Sequence, residues 1–392
     1  MATIAKRGDT YRITVSDGYD SQGKQVRRST TWKPDPGMTA KQIEKKLNDE
    51  TREFEKSVKE GRYIDPTIKF QAFAERWFED YGKEHLRDRT YYRYKQLTER
   101  IYAEIGYMPL HKIQPHHLIQ FYRKLAEPGQ NQRTGGGLAP KTIKHYHTFI
   151  SSVLEQAYRW KVILENPAHR VDSPKVPRKD LDFLDENEIV QLLEALEKEP
   201  AEHQAMFQLL IYGGMRRSEL LGLEWQDINF TTGVVSIVRT SQYCTERGIY
   251  TDTTKTLESQ RSFKVPRNVI EALERHRHEQ EQQRYKLGDQ WQDSNRLFTK
   301  WNGLPMQLNT PYQKLQKILE KNGMRQVSLH SLRHSNATLL INQGVNIKAV
   351  SSRLGHSQTS TTMNTYAHQI KSADAAASDA LELALTKPKT EK

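Results

Sequence analysis

Cysteine is almost missing from this chain: Cys244 stands alone among 392 residues. One thiol excludes an intrachain disulfide and a cysteine-rich metal site, and such usage is what a reducing cytosol leads one to expect. Long hydrophobic runs are missing too, with a mean hydropathy of −0.82, so no stretch supplies the ~20 apolar residues of a bilayer-spanning helix. The opening Met1-Ala2-Thr3-Ile4-Ala5-Lys6 has no apolar core followed by a cleavage site, and no secretory leader is expected. Acidic residues run short: 48 Asp and Glu face 60 Lys and Arg, a formal net charge of +12 and an isoelectric point near 9.4. A basic chain with interleaved Tyr and Arg points to a polyanionic partner, and with nothing to span a membrane the expected polyanion is nucleic acid.

Other familiar signatures are incomplete. Gly135-Gly136-Gly137 lacks a following Lys-Ser/Thr, so it reads as a flexible loop, not a phosphate cradle. His330 and His334 have the four-residue spacing that can chelate zinc, but Ser331 stands where a zinc protease carries its general base. No metal or other cofactor is expected. Arg7-Gly8-Asp9 reads as a hairpin turn.

What is present organises itself into successive modules, as the length suggests. Alternating runs at Thr3–Lys6, Thr10–Val15 and Val26–Trp32, separated by Gly- and Asp-rich turns, predict a three-stranded antiparallel meander. Thr39 and Gln42 form a capping box that opens a charged helix through about Lys59. Arg12, Arg27 and Arg28 on these strands are candidate DNA contacts, since a small basic sheet can lie in a major groove. After Ile64-Asp65-Pro66 the period becomes helical: Phe70, Phe73, Ala74, Trp77, Phe78 and Tyr81 make an aromatic stripe facing a core. Further helices are expected at about 88–105, 115–126 and 140–160, with Arg89, Arg93, Lys141 and Lys144 on polar faces able to grip a phosphate backbone. A basic, proline-bearing stretch at 167–180 reads as a linker. From about Leu181 helices return, interrupted by strands at Val234–Val238 and Ser262–Val265 with a polar segment between them.

The chemistry concentrates in Ser328–His368. His330 and Arg333 are three apart and share a helix face. The turn Leu354-Gly355-His356 can fold His356 and Tyr366 back towards them. Arg333 offers a planar fork for phosphate oxygens, the histidines can donate hydrogen bonds or move protons, and Tyr366 supplies a phenol able to act as a nucleophile. This set reads as phosphoryl transfer without a metal.

Five motifs in one order then carry a resemblance: Gly-Met-Arg-Arg-Ser-Glu-Leu at 214–220, Lys-Thr at 255–256, His-Ser-Leu-Arg-His at 330–334, Leu-Gly-His at 354–356 and Thr-Tyr-Ala-His at 365–368. The chain resembles the tyrosine recombinases, in the integrase group of phages and integrative conjugative elements. The resemblance implies a mainly α, multidomain fold: a small α+β arm-type DNA-binding domain at 1–65, an all-α core-binding domain at 66–166, the linker 167–180, and a mixed, mainly α catalytic domain with a C-terminal tail at 181–392. It also implies an active site of Arg216, Lys255, His330, Arg333, His356 and Tyr366, supported by Glu219. Arg217 is the rival for the first arginine, but the Gly-x-Arg-x-x-Glu phase favours Arg216.

Each implied role has a chemical reason. Arg216 and Arg333 can bind the nonbridging oxygens of a phosphodiester under attack. Neighbouring cations favour ionisation of Tyr366, His330 can take its proton, His356 can hydrogen-bond the phosphate, and Lys255 can protonate the leaving 5′-oxygen. The covalent 3′-phosphotyrosine conserves the bond energy, so rejoining needs no ATP. The implied partners are double-stranded DNA at element ends and target site, further copies of the chain as a tetramer, an excision factor and a DNA-bending host protein, all in the cytoplasm of a bacterial host. Ala373–Leu385 reads as a helix for docking on a neighbouring protomer. A type IB topoisomerase, a Xer-like resolvase and a non-catalytic DNA-binding regulator are the alternative readings.

Overall fold

The computed structural model describes residues 2–19, 22–60, 67–177, 182–253, 260–356 and 358–366. Contacts divide the chain into two compact units, Met1–Arg178 and Lys179–Lys392.

The first unit opens with the expected meander. Strands β1 (Thr3–Arg7), β2 (Thr10–Tyr19) and β3 (Gln25–Trp32) pair antiparallel in that order. Register sets the two faces, because side chains alternate along a strand. Ile13 sits opposite Ile4 and Thr30, and with Val15 it packs against Leu47, Phe54 and Val58 of helix α1 (Ala40–Lys59). Arg12 pairs with Ala5 and Thr31, and Arg27 with Ser16, so both arginines lie on the face turned away from α1. Arg28 pairs with Val15 instead, which puts it on the α1 side, where it forms an ion pair with Asp17 at 2.9 Å. Helix α1 begins at the capping box of Thr39 and Gln42.

The aromatic stripe becomes α2 (Phe70–Trp77), continued by a π-helical turn at Phe78–Gly82 into α3 (Lys83–His85). Helix α4 (Asp88–Ile101) runs into a second π turn, Tyr102–Gly106, and α5 (Pro115–Ala126) and α6 (Pro140–Arg159) complete the packing. Phe149 of α6 sits at the centre, stacked on Phe78 and edge-on to Trp77. Two expectations change. The glycine-rich stretch before α6 is closed by backbone bonds from Gly129 to Gly135, Asn131 to Gly136 and Leu138 to Leu125, and a Cβ on Gly137 would stand 2.0 Å from the Ala126 carbonyl oxygen. This is a packed turn. Ala168 and Val171 are buried in the same core, so helical packing runs past 166 into the stretch read as linker.

In the second unit, α7 (Glu186–Glu197), α8 (Ala201–Gly213) and the short α9 (Arg217–Leu220) precede a sheet of β4 (Ile228–Asn229), β5 (Val234–Ile237) and a third strand that follows a hairpin. That hairpin is β6 (Arg239–Cys244) with β7 (Gly248–Thr253); the third strand, Arg261–Lys264, is β8. The hairpin's strands show little apolar alternation, so the sequence shows them only as a polar segment. Helices α10 (Arg267–Leu287), α11 (Thr310–Lys321), α12 (Leu329–Asn342), α13 (Ile347–Leu354) and α14 (Thr359–Thr365) follow. Helix α8 is apolar nearly all round and is correspondingly buried. Among the described residues no helix is long and apolar enough to cross a membrane. The Ile64-Asp65-Pro66 boundary, Lys255 and the Ala373–Leu385 helix lie outside the described residues.

Candidate active site

Two left-handed glycines shape the site. Gly214 ends α8 at φ +58, and a Cβ there would meet Asn336 Oδ1 at 2.7 Å and Leu354 Cδ2 at 2.9 Å. Gly355 ends α13 at φ +67, where a Cβ would stand 2.6 Å from Arg261 Nη1. Only glycine takes this conformation at such close quarters without strain.

The turn after Gly214 delivers Arg216 as the N-cap of α9. Its backbone N–H donates to Glu219 Oε2 at 2.8 Å, and its Nη1 donates to Glu219 Oε1 at 2.8 Å. Nη2 donates to the Gly355 carbonyl at 3.2 Å. Helix α12 starts at the Ser328–Ser331 capping box, which sets the phase of the residues behind it. Arg333, 2 % exposed, donates from Nη1 to the Gly214 carbonyl and from Nη2 to the Leu354 carbonyl, both at 2.7 Å. Each arginine thus bonds the turn that carries the other part of the site. His356 Nδ1 lies 2.7 Å from Thr362 Oγ1, and His330 lies on the exposed side of α12.

Tyr366 follows α14 and is 1 % exposed. Its hydroxyl lies 2.7 Å from Nδ1 of His334, the second histidine of the motif, and not against His330. The ring packs with Ala337, Ile341, Val350 and Leu354.

Burial and clustered cations set the charges. Arg333 is pulled down to about 9, first by desolvation and then by Arg216. Desolvation followed by Arg333 and Arg216 lowers His356 to about 4, and the same causes lower His330. Both histidines are therefore neutral at pH 7. The expected ionisation of Tyr366 by its cationic neighbours is reversed, because desolvation outweighs Arg333 and pushes the phenol up to about 12. Glu219 shows the opposite balance: burial raises it, but Arg261 and Arg216 together hold it down at about 2.

The structure therefore brings Arg216, Glu219, His330, Arg333, His356 and Tyr366 together. Two further residues, His334 and Arg261, join them. His334 shares a helix face with His330, a four-residue spacing that in the sequence suggests zinc as readily as a contact to Tyr366. Arg261 donates to Glu219 through Nη1 at 3.1 Å and Nη2 at 2.8 Å, and through Nε to the Arg353 carbonyl at 2.6 Å. Its signal was alternation, since Arg261 shares a face of β8 with buried Phe263.

The proposed DNA contacts fall in separate groups. Arg12 and Arg27 are exposed on the open sheet face, while Arg28 is half-buried on the other side. Arg89, Arg93, Lys141 and Lys144 are all exposed on α4 and α6. Arg93 and Lys141 lie close enough to His145 that, after desolvation, they lower its pKa, so α4 and α6 share one basic surface.

Comparison with known proteins adds sequence and fold relatives. Residues 182–372 match the phage integrase family, and residues 69–126 match the phage integrase N-terminal SAM-like domain. A XerC-like tyrosine recombinase of Caldanaerobacter subterraneus subsp. tengcongensis is 27% identical over 380 residues, covering 92% of each chain. The ICEBs1 integrase of Bacillus subtilis is 22% identical over 359 residues, covering 91% of this chain and 93% of its own. Among solved structures, the Tn1549 transposon integrase in complex with a circular intermediate DNA superposes with a TM-score of 0.62 at 21% identity, over 79% of this chain and 99% of that one.

Proposed function

The chain belongs to the tyrosine recombinases of the phage integrase family, and from that premise we propose that it is the site-specific integrase of a mobile element. Enzymes of this family cut and rejoin DNA. One observation carries the assignment of the site: Arg333 bonds the Gly214 and Leu354 carbonyls while Arg216, from a separate element, bonds the neighbouring Gly355 carbonyl, with His330, His356 and Tyr366 beside them.

In the proposed reaction a phosphodiester binds against Arg216 and Arg333. Both use part of their guanidinium for protein oxygens, which fixes them in place and leaves further N–H groups for the phosphate. Such preorganised donors stabilise charge as it develops on the nonbridging oxygens. Tyr366 Oη forms a bond to phosphorus, its proton passes to a base for which His330 is the candidate, and the bond to the 5′-oxygen breaks. Lys255 gives that oxygen a proton. His356 hydrogen-bonds the phosphate, and Glu219 holds Arg216. Attack by a second 5′-hydroxyl reverses every step and restores the tyrosine.

Integration, as distinct from resolution of dimers, rests on the N-terminal sheet and helix. We assign this arm-type module, residues 1–65, to a second DNA site, with the helical module at 66–166 gripping the core site. A tetramer on two duplexes, an excision factor and a host bending protein complete the proposal. Incubating the protein with a supercoiled plasmid bearing its element's end sequences tests it. Recombinant products support the integrase reading, relaxation alone supports a type IB topoisomerase, and gel retardation without cleavage supports a regulator.

A further inference from the structure

Tyr366 is held from two directions. Its ring belongs to the buried cluster of Ala337, Ile341, Val350 and Leu354, and its hydroxyl lies 2.7 Å from His334 Nδ1. The two rings meet at 62° with centroids 5.7 Å apart, so the imidazole presents its edge, where the nitrogens are, to the phenol. His330, one turn earlier, stands edge-to-face on His334 with centroids 4.5 Å apart and an interplanar angle of 82°.

We propose that His334 is a positioning residue for the nucleophile: its Nδ1 holds the Tyr366 hydroxyl inside the site, so that the oxygen is aimed before DNA arrives. The inference rests on the reading of Tyr366 as nucleophile. A packed ring can still turn its hydroxyl about the C–O bond and shift within its cavity; a directed hydrogen bond removes that freedom, and small misplacements of a reacting atom are costly in rate.

The choice between holding the proton and taking it follows from proton affinities. Desolvation, then His330 and Arg333, lower His334 to about 4, with Asp182 opposing, while burial pushes the phenol up to about 12. The proton therefore stays on oxygen, and His334 serves as a neutral acceptor when its own proton is on Nε2. Proton removal is left to another group, for which His330 remains the candidate.

The nitrogen's identity makes the proposal testable. An asparagine amide reaches about as far as Nδ1, whereas a glutamine amide reaches the Nε2 position. Wild type, His334→Leu, His334→Asn and His334→Gln are compared in single-turnover formation of covalent adduct on a nicked suicide substrate, with DNA binding by gel retardation and folding by circular dichroism. His334→Leu is expected to slow adduct formation by at least about tenfold while binding DNA as wild type does. His334→Asn is expected to recover most of the rate, and His334→Gln is not. A leucine variant as fast as wild type overturns the proposal, as does glutamine rescuing as well as asparagine. Should the leucine variant fail to fold, the asparagine and glutamine pair decides alone. Failure of wild type itself to form an adduct at Tyr366 overturns the nucleophile reading instead, so the two failures are distinct.

Discussion

Arg261 holds Glu219 through two parallel hydrogen bonds, Nη1 to Oε1 at 3.1 Å and Nη2 to Oε2 at 2.8 Å, with both side chains almost wholly out of solvent. Glu219 in turn bonds both the backbone and the side chain of Arg216. A buried arginine thus fixes a carboxylate that fixes a half-exposed arginine at the phosphate site. Removing one partner of a buried pair costs about 3–5 kcal/mol when the other charge is left alone, and because Arg216 still faces Glu219 the loss here belongs at the low end, about 3 kcal/mol.

Arg261→Leu is therefore expected to destabilise the second unit by about that amount, measured in the full chain by urea titration. The pair also imposes a pH dependence. Glu219 sits at about 2 in the folded chain, against roughly 4.3 when unfolded, so its contribution is complete above about pH 4.3 and is lost as pH falls towards 2. Acid unfolding of Arg261→Leu should begin at higher pH than in wild type. Identical acid transitions would remove the pair from the account.

The sequence exposed the site better than its supports. Arg216, Arg333, His356 and Tyr366 were legible because their chemistry recurs at fixed motif spacings. Glu219 was legible through the Gly-x-Arg-x-x-Glu phase of the resemblance, and the fold adds that the same spacing caps α9. His334 was not assigned, since the same four-residue spacing suits a metal, a packing pair or a tether, and only the fold supplies Tyr366 as its partner. Arg261 looked like one basic residue among 60. The strand pairing of β8 with β5 is what turns it inward. Burial was the other blind spot: cationic neighbours of Tyr366 were visible in the motifs, but the desolvation that outweighs them depends on tertiary packing.

Lys255 is expected to act as the general acid. Lys255→Ala should cleave more slowly by about two or more orders of magnitude, the usual scale for a positioned proton donor. A substrate with sulfur at the bridging 5′ position leaves without needing that proton and should restore cleavage. Absence of rescue would move the role to another residue.

Deletion of residues 1–65 is expected to weaken binding to complete element ends and to make its salt dependence shallower, because it removes the open sheet face carrying Arg12 and Arg27. Cleavage of a short core site should survive. Footprints that are unchanged by the deletion, or loss of core cleavage in a truncated chain that still folds, would overturn the arm assignment.

The central claim is that Tyr366 attacks the phosphodiester. A nicked suicide substrate, from which the cleaved strand end diffuses away, traps the covalent intermediate for denaturing electrophoresis and peptide mapping. Wild type should give an adduct that maps to Tyr366, and Tyr366→Phe should bind the same DNA yet give none. An adduct that persists in Tyr366→Phe, or that maps to another residue in wild type, would contradict the account.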